Sequence, residues 1–187
     1  MIEQDIRNWS SYVLEVPNEN LNGLPACPYA KKAWKDNKVK VIETDDVYIE
    51  ALSHVGLVLD KTYDLLVCAS YHLPDAEDMN RWVTKMNSAL ASNNAYFMCF
   101  HPDYGAEEAE LDFLYDTDWE SSVEESYCMI FIQRLDHVDD KSKQLEKLGY
   151  YQAFNQNEYE TLVLKRRQLR NKHHGNETKG NEKEATS

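Results

Sequence analysis

Cys27 stands in the run Gly23-Leu24-Pro25-Ala26-Cys27-Pro28-Tyr29-Ala30-Lys31. Proline at the next position suits the first turn of a helix, where its missing N–H would have no intrahelical partner. Residues Tyr29 to Trp34 can all be helical, so Cys27 is expected at the helix N-cap. A thiol there would face the positive end of the helix dipole, with Lys31 and Lys32 one turn on, and both favour thiolate over thiol. A thiolate attacks carbon or sulfur, or binds a metal. The second chemical element is Phe100-His101-Pro102-Asp103-Tyr104, whose histidine follows an apolar strand-like run. His72, in Ser70-Tyr71-His72-Leu73-Pro74, ends an earlier run in the same way. In an open parallel sheet, ligands gather at the carboxyl ends of strands.

Two site types follow if these pieces meet. In a thiol site Cys27 is the nucleophile and His101 the base, and Asp103 or a backbone carbonyl orients the imidazole. Tyr104 would donate a hydrogen bond and Lys31 would support an anion. In a metal site Cys27, His101, His72 and a carboxylate would ligate a borderline ion such as zinc. Neither has diagnostic spacing, since the chain contains no HExxH and no CxxC. The plainer alternatives are histidines that bond backbone groups at strand ends, and a Cys27 packed beneath Trp34 at an ordinary helix start. His173 and His174 fall in a polar tail and read as solvated.

The elements that must position these residues are legible in the periodicity. Ile2, Ile6, Trp9, Val13 and Val16 recur at helical spacing, predicting an amphipathic helix over 2–16 that Pro17 ends. A short helix starts at Pro28, and 39–43 reads as a strand. Asp45 or Asp46 then caps a helix running to about residue 59. The apolar run 65–71 suits a strand buried on both faces. Pro74-Asp75 opens a helix with Met79, Trp82, Val83, Met86 and Leu90 on its core side, and 96–100 is the third strand. Parallel neighbours joined by right-handed crossovers are the default for this alternation. Beyond it, 127–134 reads as a strand, 139–148 as a helix, and 150–154 with 160–165 as a closing β-hairpin. The expectation is a single α/β domain over 1–167, with a mostly parallel central sheet flanked by helices, and a disordered polar tail over 168–187.

Composition narrows the classes. The chain has 187 residues with a net charge of −13, which suits one core and argues against nucleic acid or an anionic membrane surface as partner. The basic run Lys165-Arg166-Arg167, with Arg170 and Lys172, is a local exception that reads as a solvated face. No apolar run approaches the roughly 20 residues of a membrane span. The start, Met-Ile-Glu-Gln-Asp, has no signal-peptide pattern. Cys27, Cys68, Cys99 and Cys128 are widely spaced, and the last three lie in apolar runs as small buried hydrophobes. A reducing cytoplasm is the expected compartment.

The chain has no GxGxxG, no Walker-type phosphate loop and no Gly-x-Ser-x-Gly elbow. Cys27-Pro28-Tyr29-Ala30 looks like a one-cysteine glutaredoxin motif, but that family expects a strand just before it and a later Thr-x-Pro, and neither is present. Taken together, Gly23-Leu24, Cys27-Pro28-Tyr29-Ala30-Lys31 and Phe100-His101-Pro102 with Tyr104 resemble a bacterial family of unknown function. Its members carry paired GLxxCPFAK and FHPxY motifs. The similarity covers residues 5–135, and Tyr29 replaces the usual Phe. The Asn-Arg-Ser-Pro-containing stretch that typically follows FHPxY is replaced here by Tyr115 to Ser122. The resemblance implies no activity, but it implies that Cys27 and His101 recur together.

The leading expectation is a small enzyme with a Cys/His site acting on a small molecule or peptide. The alternative is a non-catalytic adaptor that uses the acidic loop 105–125, where Tyr104, Phe113, Tyr115 and Trp119 alternate with carboxylates as interface anchors.

Overall fold

The computed structural model describes residues 2–103 and 127–171. Tyr104, the acidic loop 105–125 and the tail from 172 lie outside the described residues. Helix α1 (Ile2–Trp9) buries Ile2, Ile6 and Trp9 and runs into a π-helical turn at Ser10–Leu14. Helix α2 (Ala30–Lys35) and strand β1 (Val39–Glu43) follow. Asp46 then caps α3 (Val47–His54), its carboxylate accepting from the N–H groups of Tyr48 and Ile49 at 2.9 and 3.0 Å. The chain turns at Val55 into the short α4 (Gly56–Leu59), so the helix expected to reach residue 59 is present in two pieces. Strand β2 (Leu65–Ser70) leads to α5 (Ala76–Leu90), capped by Asp75, and then to β3 (Ala95–Phe100). Strand β4 (Cys128–Arg134) and helix α6 (Leu135–Lys147) complete the α/β core.

The four-stranded sheet has the order β1-β2-β4-β3. β1 and β2 are parallel, whereas β4 pairs antiparallel with both β2 and β3. The sheet is therefore mixed, which corrects the expectation of a mostly parallel one. The β2–α5–β3 crossover skips one strand position, and β4 fills it. Its Cys-Met-Ile-Phe-Ile run is apolar at every position, as a strand buried on both faces requires. β1, β2 and β3 still run in one direction, so their carboxyl ends share an edge.

Alternation divides the core in two. Leu66, Cys68, Ala95, Phe97, Cys128, Ile130 and Ile132 face α3, α4 and α5, together with Met79 and Val83. Val41, Val67, Ala69, Met129 and Phe131 face α1, with Met98, Phe100 and Trp34 packed beside them. On the outer edge of β3, the Asn87 side chain donates to Phe97 O at 2.9 Å and accepts from Phe97 N–H at 2.8 Å. The outward backbone groups at Phe97 are thereby satisfied, as sheet edges need to be.

The expected hairpin over 150–165 is not formed. Asn155 and Glu158 make a capping box that starts α7 (Gln156–Tyr159). The helix continues through a π-helical turn at Glu160–Leu164 and on to residue 171, past the domain end expected at 167. The basic residues that read as a solvated face dock this helix on α6. Arg170 and Lys143 bond Asp139 Oδ2 at 2.8 and 2.9 Å, Arg167 bonds Glu146 at 2.8 Å, and Arg170 also reaches Asp140. Asp139 is only 1% exposed. Burial alone would raise its carboxyl, but the hydrogen bonds and charges of Lys143 and Arg170 outweigh that and hold it below the usual carboxylate range.

Two outcomes follow. Ile130→Ala, in the middle of β4, should cost about 2–5 kcal/mol in urea unfolding, because it opens a cavity between two packed layers. For Asp139 the folded value lies below the unfolded one of about 3.9, so its pairing stabilises above that pH and is lost as pH falls through the folded value. The protection of amides in the C-terminal helix, taken relative to the intrinsic exchange rate at each pH, should fall on acidification below about pH 4. Asp139→Asn should already show fast exchange there at neutral pH, with a weaker acid response.

Candidate functional site

The segment carrying Cys27 is held from both sides. Cys27 N–H donates to Leu14 O at 2.8 Å, tying it to the end of the π-helical turn. Pro17 and Pro25 form a β-bridge, and the loop between them turns through Asn22 and Gly23 at positive φ. Leu21 is wholly buried against Leu145 and Tyr150, and the Tyr150 hydroxyl donates to Ala26 O at 2.5 Å. Gly149, at φ +77° past the end of α6, makes this approach possible. A Cβ there would lie 2.8 Å from Gln152 and 3.1 Å from Asn22, whose amide donates to Leu148 O.

Cys27 is not the N-cap. It sits two residues earlier, in a turn closed by Ala30 N–H to Cys27 O at 3.1 Å, and Tyr29 is the cap residue. The expected pull on the thiol is nevertheless present, because the N–H groups of Tyr29 and Ala30 point at it. Burial outweighs them. It pushes the Cys27 thiol above the ordinary cysteine value, and Glu15 adds to the rise. The net direction is thus opposite to the one expected from the helix start and the nearby lysines.

Cys27 lines a cavity of about 340 Å³ between one sheet face and the N-terminal helices. Trp9, Trp34, Met98, Phe100, Phe131 and Leu65 form most of its wall. A buried polar relay fixes Trp34: its indole N–H donates to Ser10 Oγ at 3.0 Å, and Ser10 Oγ donates to Glu15 at 2.9 Å. Glu15 also pairs with Arg7, whose guanidinium lies 5.3 Å from the centre of the Trp34 ring. His137, Lys141, Asp64 and Gln133 add polar groups to its lining.

His101 lies elsewhere. It continues the β3 parity of Phe97 and Cys99, toward α5, and its ring is buried. Its Nε2 donates to Pro74 O at 2.8 Å, and its Nδ1 accepts from Asp103 N–H at 3.1 Å, the neutral tautomer this pattern implies. The sheet therefore stands between His101 and Cys27, and the structure does not bring the two together. Asp103 meets His101 through its backbone N–H, and its carboxylate stands 3.7 Å from Nδ1, beyond hydrogen-bond distance. His72 shares the carboxyl edge of the sheet, as the strand ends implied. It stands exposed, 3.4 Å from Asp45, beside a shallow hollow with Glu43, Thr44 and Tyr71. Lys31 is exposed and does not line the Cys27 cavity. Among the described residues no three His, Cys, Asp or Glu side chains are grouped to hold a metal ion, so the expected Cys27–His101–His72 set is not assembled there. Cys68 and Cys128 are buried hydrophobes, as read, with thiols pushed up to about 12 and about 11 by burial.

His137 and Lys141 were missed. They sit one turn apart on α6, and no motif marks them, because their place at the cavity follows from where β4 inserts. Burial lowers the His137 pKa, so the ring is neutral at pH 7. Arg134, also missed, is buried and donates to Val58 O at 3.1 Å, with Asp64 3.4 Å away.

The chain matches no family model, no curated protein and no solved structure. Among the described residues no helix is long and apolar enough to cross a membrane.

Iodoacetamide should alkylate native Cys27 with a pH midpoint above the roughly 8.5 of a free thiol. His101→Ala should leave that midpoint unchanged while lowering stability by about 1–3 kcal/mol, because Pro74 O loses its donor. Mass-mapped alkylation and urea melts read the two effects.

Proposed function

We propose that the protein binds a small, largely apolar organic molecule in the cavity walled by Trp9, Trp34, Phe100 and Phe131, with Cys27 in contact with the ligand. One observation carries this reading: the cysteine motif singled out in the sequence supplies Ala26, Cys27, Tyr29 and Ala30 to the cavity wall. Protein interiors otherwise pack with few voids larger than a water molecule, and an unfilled apolar space forfeits dispersion contacts along its lining. A volume of about 340 Å³ falls within the range of small-molecule sites.

As a protonated thiol, Cys27 offers a soft, polarisable contact rather than a resting nucleophile. A Cys27–His101 enzyme has less support, since His101 uses both ring nitrogens on backbone groups across the sheet. The residues of an adaptor loop over 105–125 lie outside the described residues. Cysteines that are all free suit a reducing compartment such as the cytoplasm.

The test is titration with the neutral, environment-sensitive fluorophore N-phenyl-1-naphthylamine. Saturable one-to-one enhancement is expected for the wild type. Ala33→Phe and Leu65→Trp, which add bulk at lining positions, should lower the affinity at least tenfold while melting cooperatively. Absence of saturable binding, or a folded variant that binds like the wild type, overturns the proposal.

A further inference from the structure

The charged residues that line the cavity differ in how they are paired. Lys32 and Asp36 both line it and pair with each other across one helical turn. Asp64 faces the buried Arg134 guanidinium at 3.4 Å. His137 is neutral at pH 7, because burial lowers its pKa, and Gln133 carries no charge. Lys141 is left. Its ammonium lies 4.5 Å from the centre of the Tyr29 ring, and among the described residues no carboxylate lies within ion-pair distance of it. Tyr29 is itself held across the gap between the Cys27 segment and α6, its hydroxyl donating to Gln144 Oε1 at 3.3 Å.

A lysine resting on an aromatic face keeps its positive charge and loses part of its hydration. Such a group is a good partner for an anion, because less water must be displaced to form the pair. The chain as a whole carries −13, a field that discourages anions at long range. At physiological salt that field decays over about 8 Å, so a cation at the cavity decides what binds there.

We infer that the ligand of this cavity is an organic monoanion, a carboxylate or sulfonate on an apolar one- to three-ring or aliphatic body, with its charged group at Lys141 and its body against Trp9, Trp34, Phe100 and Phe131. This rests on the cavity being a ligand site. The aromatic walls take the body by area and dispersion, and Lys141 fixes its direction.

The experiment compares two probes that differ by one anionic group: N-phenyl-1-naphthylamine and its 8-sulfonate, 1-anilinonaphthalene-8-sulfonate. Both are titrated into the wild type, Lys141→Met and a control, Lys31→Met, at 0.15 M salt. The wild type should bind the sulfonate about tenfold more tightly than the neutral probe, as a charge-assisted contact would give. Lys141→Met should remove that preference, weakening the sulfonate far more than the neutral probe, and Lys31→Met should behave as the wild type. Equal binding of both probes, unaltered in Lys141→Met, overturns the anion assignment and leaves the cavity reading standing. Failure of the wild type to bind either probe overturns both. If Lys141→Met weakens the two probes equally, the lysine serves the shape of the site and not its charge selectivity, and the assignment falls.

Discussion

Strand β4 is hydrogen-bonded along both sides and packed on both faces, and both hydrophobic layers are anchored on it. Ile130 and Ile132 close the layer under α3 and α5, while Met129 and Phe131 close the layer under α1. Without this insertion β2 and β3 would each expose a row of unpaired backbone groups, a costly arrangement in a protein interior. The same strand ends in Arg134 and feeds α6, so it also delivers His137 and Lys141 to the cavity. Core formation and site assembly depend on one event.

The two chemical motifs occupy different layers and have different physical characters. The His101 segment is a set of backbone ties that join the end of β3 to the turn before α5. The Cys27 segment is a wall held by Leu14, Leu21 and Tyr150 around a space that its neighbours do not fill. Both end in satisfied polar groups, but only the second borders a cavity large enough for a small molecule. Burial governs the chemistry there. The backbone N–H groups that favour a thiolate at Cys27 are in place, and desolvation overcomes them.

The C-terminal helix shows how far charge pairing can reorganise a polar segment. Arg167 and Arg170 read as solvent-facing in a sequence dominated by acid. Asp139, buried on α6, has Lys143 beside it and receives both arginines from the docked helix. A buried carboxylate without such partners would be strongly unfavourable, so the helix and the carboxylate require each other.

Local patterning determined most of the elements. The spacing of Ile2, Ile6 and Trp9 gave α1, Asp46 and Asp75 marked two helix starts, and the apolar runs located all four strands. These signals are short-range: a cap or an amphipathic stripe acts within one or two turns of chain. Tertiary structure decided what they assemble into. Helix α6 starts four residues before the expected Asp139 because Asn94, from the turn before β3, accepts from Asp136 N–H at 2.8 Å and caps it. The 156–171 segment became helix because its Asn155–Glu158 box agrees with the arginine pairing on Asp139, overriding the strand propensity of Leu162 to Leu164. The sheet is mixed because a crossover left a slot that an all-apolar strand could fill from either direction, and residue pattern carries no direction. For the same reason Cys27 shares a cavity lining with His137 and Lys141 rather than with His101: which face of the sheet a segment covers depends on contacts between residues more than a hundred positions apart.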